Sequence, residues 1–411
     1  MRDAGRAAAL DREGNSGEVT RIAIAVKTTE GGRWIVPQIL EARTRNVEVV
    51  VIIPHGTGRL VTLVEDICAG DIGVTLVRAP VHLARPGVRA IRDVLSVRRT
   101  VKAMRLDAVL YHLYASALMI RISTIGLRIR RVHMVAGPLY LESPLIRFCE
   151  RFLVRLDSAI ICGSRYTWEK YRSLGVSRDK LSTIPYGVDL DAFAPPTDTA
   201  RHEAKAELGY ESDAFVAVMV SYVYAPKRMV FAGKGIKGHE DLLDAWPAFA
   251  RRHADVALLI VGSGFDDAGE AYRQELLDRV PAGEIEPTLH WLSSVDDVRA
   301  VYSAADISIS PSLSENHGAA LEASAMGVVC VVSDAGALPE TIDSEAGWVH
   351  SAGSPTSLLS ALEDAYQEWE SSRLGLARGK ARRFMEESFS QLDGARSVID
   401  VVLSDVRGEG R

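Results

Sequence analysis

Glu315 and Glu322 stand seven residues apart in the stretch from Pro311 to Glu340, PSLSENHGAALEASAMGVVCVVSDAGALPE. A polar Ser-Glu-Asn-His loop follows a short apolar strand over Ile307 to Ile309. A helix then opens behind Asn316 and His317, with backbone N–H groups near Gly318, Ala319 and Ala320. The first N–H groups of a helix have no partner inside it, and the aligned peptide dipoles make that end attractive to anions. Two turns along the same face, the Glu322 carboxylate can accept hydrogen bonds from a sugar diol while the helix start faces a diphosphate. Together these features fit a sugar nucleotide. A bare pair of glutamates at i and i+7 would mean little, because most such pairs form a solvated helix face.

Around this stretch, short β-branched runs alternate with helix-length amphipathic segments. The first series is Arg21 to Val26, Val47 to Ile53, Gly73 to Val77, Ala108 to Tyr111 and Ala159 to Cys162. The second is Phe215 to Ser221, Val256 to Gly262, Thr288 to Leu292, Ile307 to Ser310 and Val328 to Ser333. This is the α/β pattern of a parallel sheet wrapped by helices, and it predicts two Rossmann-like units. Between them, Ile184-Pro185-Tyr186-Gly187-Val188-Asp189 and the Pro-rich Phe193-Ala194-Pro195-Pro196 mark the end of the first domain and a hinge. The expected division is a disordered tail over residues 1–18, an N-terminal domain over 19–190, a C-terminal domain over 191–380 and a last helical segment over 381–411. Ligands of open α/β sheets sit beyond the carboxyl ends of the strands, so two such domains facing each other would form a ligand-binding cleft.

At 411 residues with 47 % hydrophobic content, the chain has enough apolar material for two or three domains. The first eighteen residues lack an apolar run of signal-peptide length, and the longest apolar runs elsewhere are strand-length, so no membrane span is expected. Cys68, Cys149, Cys162 and Cys330 lack paired or metal-like spacing, which predicts core thiols in a reducing cytoplasm and no zinc. The net charge of −6 hides an asymmetry: Val19 to Leu190 holds 26 Lys and Arg against 14 Asp and Glu, and the rest of the chain 22 against 40. Arg89, Arg92, Arg98, Arg99, Lys102 and Arg105 form a helical stripe, with Arg128, Arg130 and Arg131 soon after. Such a stripe is either a solvated helix face, the favoured reading, or a surface for an anionic acceptor or the inner face of a membrane. No aromatic residues interleave with it and no DNA-binding motif is present, so nucleic acid is not an expected partner.

The full stretch around Glu315 and Glu322 resembles the E-x7-E signature of retaining glycosyltransferases of the GT-B fold, in particular family 4. Gly327, the strand VVCVVS and Gly336-x-x-Pro339-Glu340 fall where that family has them. The resemblance implies a GT-B architecture: two Rossmann-like domains facing across a cleft, the second binding the nucleotide sugar, with the helix from Ala381 to Leu403 crossing back to the first. It also implies a P-x-G-V-D segment at the domain border, matched by Pro185 to Asp189.

Further residues follow from the same resemblance. Lys237-Gly238-x-x-x-Leu242-Leu243-x-Ala245 is similar to the family's K-G-x-x-x-L-L-x-A, in which the lysine contacts the donor diphosphate. A cation suits that place, because the leaving nucleoside diphosphate gains negative charge as the glycosidic bond breaks. The arginine that the family sets a few residues earlier is missing in register. Arg228, Lys227 and Lys234 are the substitutes, with Arg228 first because its planar fork binds phosphate bidentately. His133 stands where the family has a histidine facing the reacting sugar, after a strand, so its ring or the adjacent backbone would orient that sugar. Gly31 and Gly32, in the loop Thr28 to Trp34, match a Gly-rich loop that touches donor phosphates or acceptor, the other reading being a purely structural turn. Trp34 and His112 are weaker acceptor-side candidates. Gly262-Ser263-Gly264 is similar to the V-G-x-G turn beside the diphosphate, and Leu292 and Val295 fall in the base-binding loop.

Asp189-Leu190-Asp191 has the spelling of a metal-binding Asp-x-Asp, but its place in the interdomain segment predicts a turn, and hence transfer without a metal. The reading as a whole is a retaining transferase with no cofactor beyond its cosubstrate. It would move a hexose or N-acetylhexosamine from a nucleoside-diphosphate sugar, UDP favoured over GDP, to a small-molecule, glycan or lipid hydroxyl. His133, Glu315 and Lys237 would act on the reacting sugar and leaving group. Glu322, Arg228, Asn316, His317, Gly318 and Ala319 would hold the rest of the donor. Composition rich in Ala, Arg and Val suggests a GC-rich bacterial genome. A sugar-nucleotide epimerase or phosphorylase on the same fold, and a noncatalytic partner subunit, are the alternatives.

Overall fold

The computed structural model describes residues 19–82, 87–226, 231–280, 288–314, 317–404 and 406. Glu315, Asn316, Lys227 and Arg228 therefore lie outside the described residues, as does the segment expected to be a tail. The described residues form thirteen strands. The first sheet takes β1 (Arg21–Ala25), β2 (Glu48–Ile53), β3 (Val74–Arg78), β4 (Ala108–His112), β5 (Arg130–Val135), β6 (Ala159–Cys162) and β7 (Leu181–Thr183), in the order β3-β2-β1-β4-β5-β6-β7. The second takes β8 (Phe215–Val220), β9 (Val256–Val261), β10 (Leu289–Leu292), β11 (Ile307–Ser310), β12 (Val329–Ser333) and β13 (Gly347–His350), in the order β10-β9-β8-β11-β12-β13. The described pairings are parallel. Both sheets thus run in the Rossmann order, with a switch point between β1 and β4 and again between β8 and β11.

The second sheet shows why such runs read as strands. Alternate residues of β8 point to opposite faces: Phe215, Ala217 and Met219 pack with Leu242, Trp246, Phe249 and Leu362, whereas Val216 and Val218 pack with Tyr302, Ala320, Ala323 and Val328. A strand buried on both faces has no polar side, hence the continuous apolar run. In the first sheet, Ala23, Ala25, Val50, Ile52 and Val109 lie against Val97, Val101, Ala117 and Ile120.

By its internal contacts the chain separates into two compact units. One runs to His133 and includes Leu156–Ser158 and the chain from Ile399; the other comprises Met134–Arg155 and Ala159–Val398. In the first unit, the end of the last helix (Gln391–Leu403) is fixed by an Arg45–Asp400 ion pair of 2.5 Å and by Arg130 donating to the Val401 carbonyl at 3.1 Å.

Several expectations need correction. The segment 381–403 is two helices, Leu374–Ser388 and Gln391–Leu403. The break serves the Gly187-Val188 segment: Val188 N–H donates to the Phe389 carbonyl at 2.8 Å, and Gln391 N–H donates to the Val188 carbonyl at 3.1 Å. Gly187, at φ +71°, is required there, because a Cβ would lie 2.7 Å from Gln391 N and Phe389 O. His133 lies within β5 rather than after a strand. Cys162 and Cys330 are core thiols, but Cys149 is exposed and Cys68 partly so. The basic stripe is only in part a solvated face. Arg89, Arg92, Arg99 and Lys102 are exposed on the helix Val88–Ala103, Arg98 donates to the carbonyls of Ser123 and Ile125, and Arg105 lies beyond the helix end. Among the described residues, no helix is long and apolar enough to cross a membrane.

Candidate functional site

The loops that leave β8 and β11 meet at the switch point of the second sheet. Beyond β11, the Leu313 N–H and the Ser312 hydroxyl both donate to the Ile236 carbonyl, at 2.9 and 3.0 Å. This clasps Pro311 to Ser314 onto the turn that carries Lys237. The next residue sets the geometry of that turn. Gly238 has φ +73° and opens the helix His239–Ala250, and a Cβ there would lie 2.0 Å from the Pro311 carbonyl oxygen. Gly238→Ala should therefore cost more than the 1–2 kcal/mol or so of the left-handed backbone alone and should part the Lys237 turn from the Pro311 loop. Urea unfolding measures the first effect; a wild-type midpoint would contradict this account of the turn.

The Lys237 Nζ lies 5.9 Å over the Tyr224 ring. Loss of water around the ammonium holds its pKa down to about 8. Burial, with a smaller contribution from the Lys237 charge, takes His239 down to about 3 and His317 down to about 4. Both rings are thus neutral at neutral pH, and Lys237 is a cation of this corner. Lys234 is otherwise engaged, paired with Asp241 in the first turn of the helix after Gly238. Glu240, beside it, accepts from Gly235 N–H and from the Tyr272 hydroxyl, a structural role.

The helix predicted after the Ser-Glu-Asn-His loop is present from His317 to Ala325. Gly318 is exposed, Ala319 is partly exposed, and Glu322 is partly buried one turn on, near enough to Tyr302 for its charge to add to burial in raising that phenol's pKa. Six residues separate Glu315 from Glu322, one fewer than in the E-x7-E spelling.

Turn and loop also meet at the far side of the site. Gly262 N–H donates to the Leu292 carbonyl at 3.1 Å, and Trp291 Nε1 donates to the Gly262 carbonyl at 3.0 Å. Ser263 and Ser294 exchange reciprocal backbone-to-hydroxyl bonds of 3.1 and 2.9 Å. The Trp291 ring stacks on His239 at 5.4 Å. Leu292 and Val295 remain about a third exposed, an apolar edge open to a flat ligand.

In the first unit, the loop after β1 holds Gly31 exposed and Gly32 buried, and Trp34 immediately precedes the helix Ile35–Thr44. His112 and His133 are fully buried. His112 Nε2 lies 3.0 Å from Gln38 Oε1, and burial lowers its pKa to about 3. His133 belongs to a network that the sequence did not suggest. Arg121 is fully buried and grips Asp157 through Nε, at 3.0 and 3.1 Å, and through Nη2, at 2.5 Å. Its Nη2 also lies 3.2 Å from His133 Nδ1. The Tyr111 hydroxyl donates to Asp157, and the Tyr111 ring stacks on His133 at 5.3 Å. A guanidinium only donates, so His133 Nδ1 must accept and the ring proton sits on Nε2. Burial and the Arg121 charge push the His133 pKa well below its usual value. The one signal in the sequence is an arginine in the apolar run Leu118-Met119-Ile120-Arg121-Ile122.

Two other residues have clear structural roles. Asp189 Oδ1 accepts from the backbone of Asp191 and Ala192, at 3.1 and 2.9 Å, which makes Asp-Leu-Asp a turn. The Glu340 carboxylate accepts from Arg165 and Tyr166 N–H, at 2.8 and 2.7 Å, and so closes the start of the helix Arg165–Ser173, a role unseen in the sequence.

Comparison with known proteins bears on the same segments. Residues 37–192 match the family described as Glycosyltransferase Family 4, and residues 226–368 match the one described as Glycosyl transferases group 1. The chain is 29 % identical over 234 residues to a D-inositol 3-phosphate glycosyltransferase of Corynebacterium kroppenstedtii, covering 56 % of this chain and 49 % of that one. It is 32 % identical over 213 residues to a GDP-mannose-dependent alpha-(1-6)-phosphatidylinositol monomannoside mannosyltransferase of Mycolicibacterium smegmatis, covering 49 % and 51 %. The chain thus spans about half the length of the curated relatives it matches. The crystal structure of Anabaena HepE in complex with UDP has the same fold, with a TM-score of 0.76 at 17 % identity over 94 % of this chain and 100 % of that one. Sheet order, the Lys237 and Glu322 segments and the two family matches agree: the chain belongs to glycosyltransferase family 4 and has the GT-B fold.

Proposed function

We propose that the chain is a retaining glycosyltransferase that moves a hexose or N-acetylhexosamine from a nucleoside-diphosphate sugar to an acceptor hydroxyl. The observation that carries this reading is the clasped turn that sets Lys237, a dehydrated cation, at the switch point beside the helix from His317. In a water-poor site a fixed cation stabilises a leaving diphosphate strongly, because its charge is little screened and nothing has to reorganise. The helix start adds its dipole, the Glu322 carboxylate takes the ribose hydroxyls, and Leu292 and Val295 line the base. His133, neutral and held with its proton on Nε2, belongs to the scaffold that orients the reacting sugar. The acceptor attacks from the side that the leaving group vacates, and the departing phosphate helps to remove its proton. With Asp189 engaged in a turn, the reading is one of metal-independent transfer. The names of relatives point to GDP-mannose and inositol-bearing acceptors, whereas the commoner donor nucleotide is UDP; both belong in the test.

The experiment is calorimetry and thermal shift with UDP, GDP, TDP and ADP sugars, with and without magnesium. Tight, magnesium-independent binding of one nucleotide sugar is expected. Glu322→Ala should weaken it by roughly 10- to 100-fold, the worth of hydrogen bonds to a charged group. Failure of every nucleotide sugar to bind would overturn the reading. Binding without transfer to any hydroxyl acceptor would leave a donor-binding subunit, and a changed sugar without an acceptor would indicate an epimerase.

A further inference from the structure

The amino end of the second sheet holds a group of buried charges far from the donor corner. Asp306, directly before β11, is buried, and both its oxygens are engaged. Oδ2 accepts from Lys205 Nζ at 2.8 Å and from Val216 N–H at 3.0 Å, and Oδ1 accepts from Arg378 Nη2 at 2.9 Å. Lys205 directs its remaining N–H groups at the carbonyls of Ala214 and Ser212, at 2.7 and 3.4 Å. Arg201, one turn earlier on the helix Asp198–Glu207, is only 9 % exposed, and its Nη2 donates to the Met326 carbonyl at 3.3 Å. Three cations thus surround one buried carboxylate. Two guanidinium donors are left over: Arg201 Nη1 and Arg378 Nε are shut off from water, and among the described residues neither meets an acceptor. Burial first, and the Arg378 charge second, lower the Arg201 pKa to about 10, so the two guanidinium groups oppose each other. Both line a cavity of about 390 Å³, within the size range of small-molecule sites. Asp198, Asp213 and Glu370 line it too, but these acids are exposed where Arg201 and Lys205 are buried, so the cations form its floor and the acids its rim.

Buried like charges with unused donors call for an anion between them, and the rim selects what the anion carries. We propose that this cavity is a second ligand site, which takes a small hydroxylated phosphate monoester. The phosphate oxygens accept from Arg201 Nη1 and Arg378 Nε, charge-assisted bonds that satisfy both buried donors and relieve their mutual repulsion. Water screens the exposed acids more than it screens the floor, so the floor still attracts an anion. The rim carboxylates accept from hydroxyl groups on the rest of the ligand, and they repel the further charges of a di- or triphosphate. The site is distinct from the donor corner. β8 and β11 run parallel, the cavity lies before their first residues, and the Lys237 turn and the Pro311 loop lie beyond their last. The four residues of β11 alone span about 13 Å. Arg201, Lys205, Asp306 and Arg378 all belong to the second compact unit, so the site is complete within it. This assignment does not depend on the transfer reading.

The test is calorimetry of the full chain with glucose 6-phosphate, inorganic phosphate and glucose. Glucose 6-phosphate should bind at least about tenfold more tightly than inorganic phosphate, the more weakly the higher the salt, and glucose should give no response. Arg378→Lys keeps a charge beside Asp306 but loses the guanidinium Nε donor, and Arg201→Leu removes the unused Nη1. Each should weaken binding by roughly 10- to 100-fold. Asp198→Ala/Glu370→Ala changes exposed side chains, so the melting temperature should hold while glucose 6-phosphate loses most of its advantage over inorganic phosphate. Lys237→Ala should bind glucose 6-phosphate as the wild type does; loss there would give the anion to the donor corner and overturn the assignment. So would absence of wild-type binding, wild-type affinity in Arg378→Lys or Arg201→Leu, an unchanged preference in the rim variant, or equal wild-type affinity for glucose 6-phosphate and inorganic phosphate.

Discussion

Lys237→Ala is expected to lower kcat by roughly 10²- to 10³-fold, the loss seen when one preorganised charge-stabilising donor is removed from a leaving group. The protein should be no less stable. Dehydration holds the folded pKa of Lys237 down to about 8, against an ordinary 10.5, so the unfolded chain binds the proton more tightly than the folded one. Stability contributed by this group therefore rises with pH between about 8 and 10.5, and below pH 8 the folded state carries the full penalty of the dehydrated charge. Removing the ammonium relieves that penalty. Lys237→Ala should thus separate function from folding, with activity lost and the melting temperature held or raised. A large fall in melting temperature would mean that Lys237 supports the turn rather than the reaction.

The same sign gives a pH signature. Below pH 8 Lys237 is charged and ready for the diphosphate; above it, donor binding must drive proton uptake. Donor affinity should fall by up to about tenfold per pH unit above 8. Calorimetry just above pH 8, in buffers of different ionisation enthalpy, should register the proton taken up. In Lys237→Ala both effects should vanish. A wild-type affinity flat from neutral pH to well above 8 would exclude Lys237 as the diphosphate cation.

The parts of this fold that could be read from the chain are those whose signal is local. β1, β2, β8, β9 and β12 are apolar because they are buried on both faces, and a run of that length has few other uses. β5 escaped because Arg130, Arg131 and His133 interrupt its pattern. Arg131 resolves the conflict by donating to the carbonyls of Leu156 and Thr124. The break before the last helix has no local signal, because its partner, Val188, lies about two hundred residues earlier. The site divides in the same way. The Lys237-Gly238 turn and the Glu322 helix are contiguous motifs, legible along the chain. The clasp of Ser312 and Leu313 on Ile236, the engagement of Lys234 by Asp241, and the capping of a helix by Glu340 are matters of distance in space and are not.

Arg121 presents this limit most sharply, and removing it should have the largest effect on stability. Arg121→Ala takes the guanidinium away from the Asp157 carboxylate, which stays inside the protein, and breaking a buried pair from one side typically costs about 3–5 kcal/mol. Arg121→Leu with Asp157→Leu removes both charges. It should recover much of that loss, because the penalty lies in the unpaired ion rather than in the absence of a bond. The network also governs His133. Burial first, and the Arg121 cation facing Nδ1 second, hold the folded pKa well below 6.5, so this ring's contribution to stability falls as pH drops below 6.5. That slope is about 1.4 kcal/mol per pH unit. Buried His112, at about 3, adds a second slope of the same sign. In the double leucine variant the His133 share should shrink, and ¹⁵N spectra should show the ring free to exchange tautomers where the wild type holds its proton on Nε2. Transfer should then fail through kcat more than through donor binding, because the donor corner belongs to the other unit. If the double variant kept full kcat with a freely exchanging His133 ring, the histidine would be part of the core and nothing more.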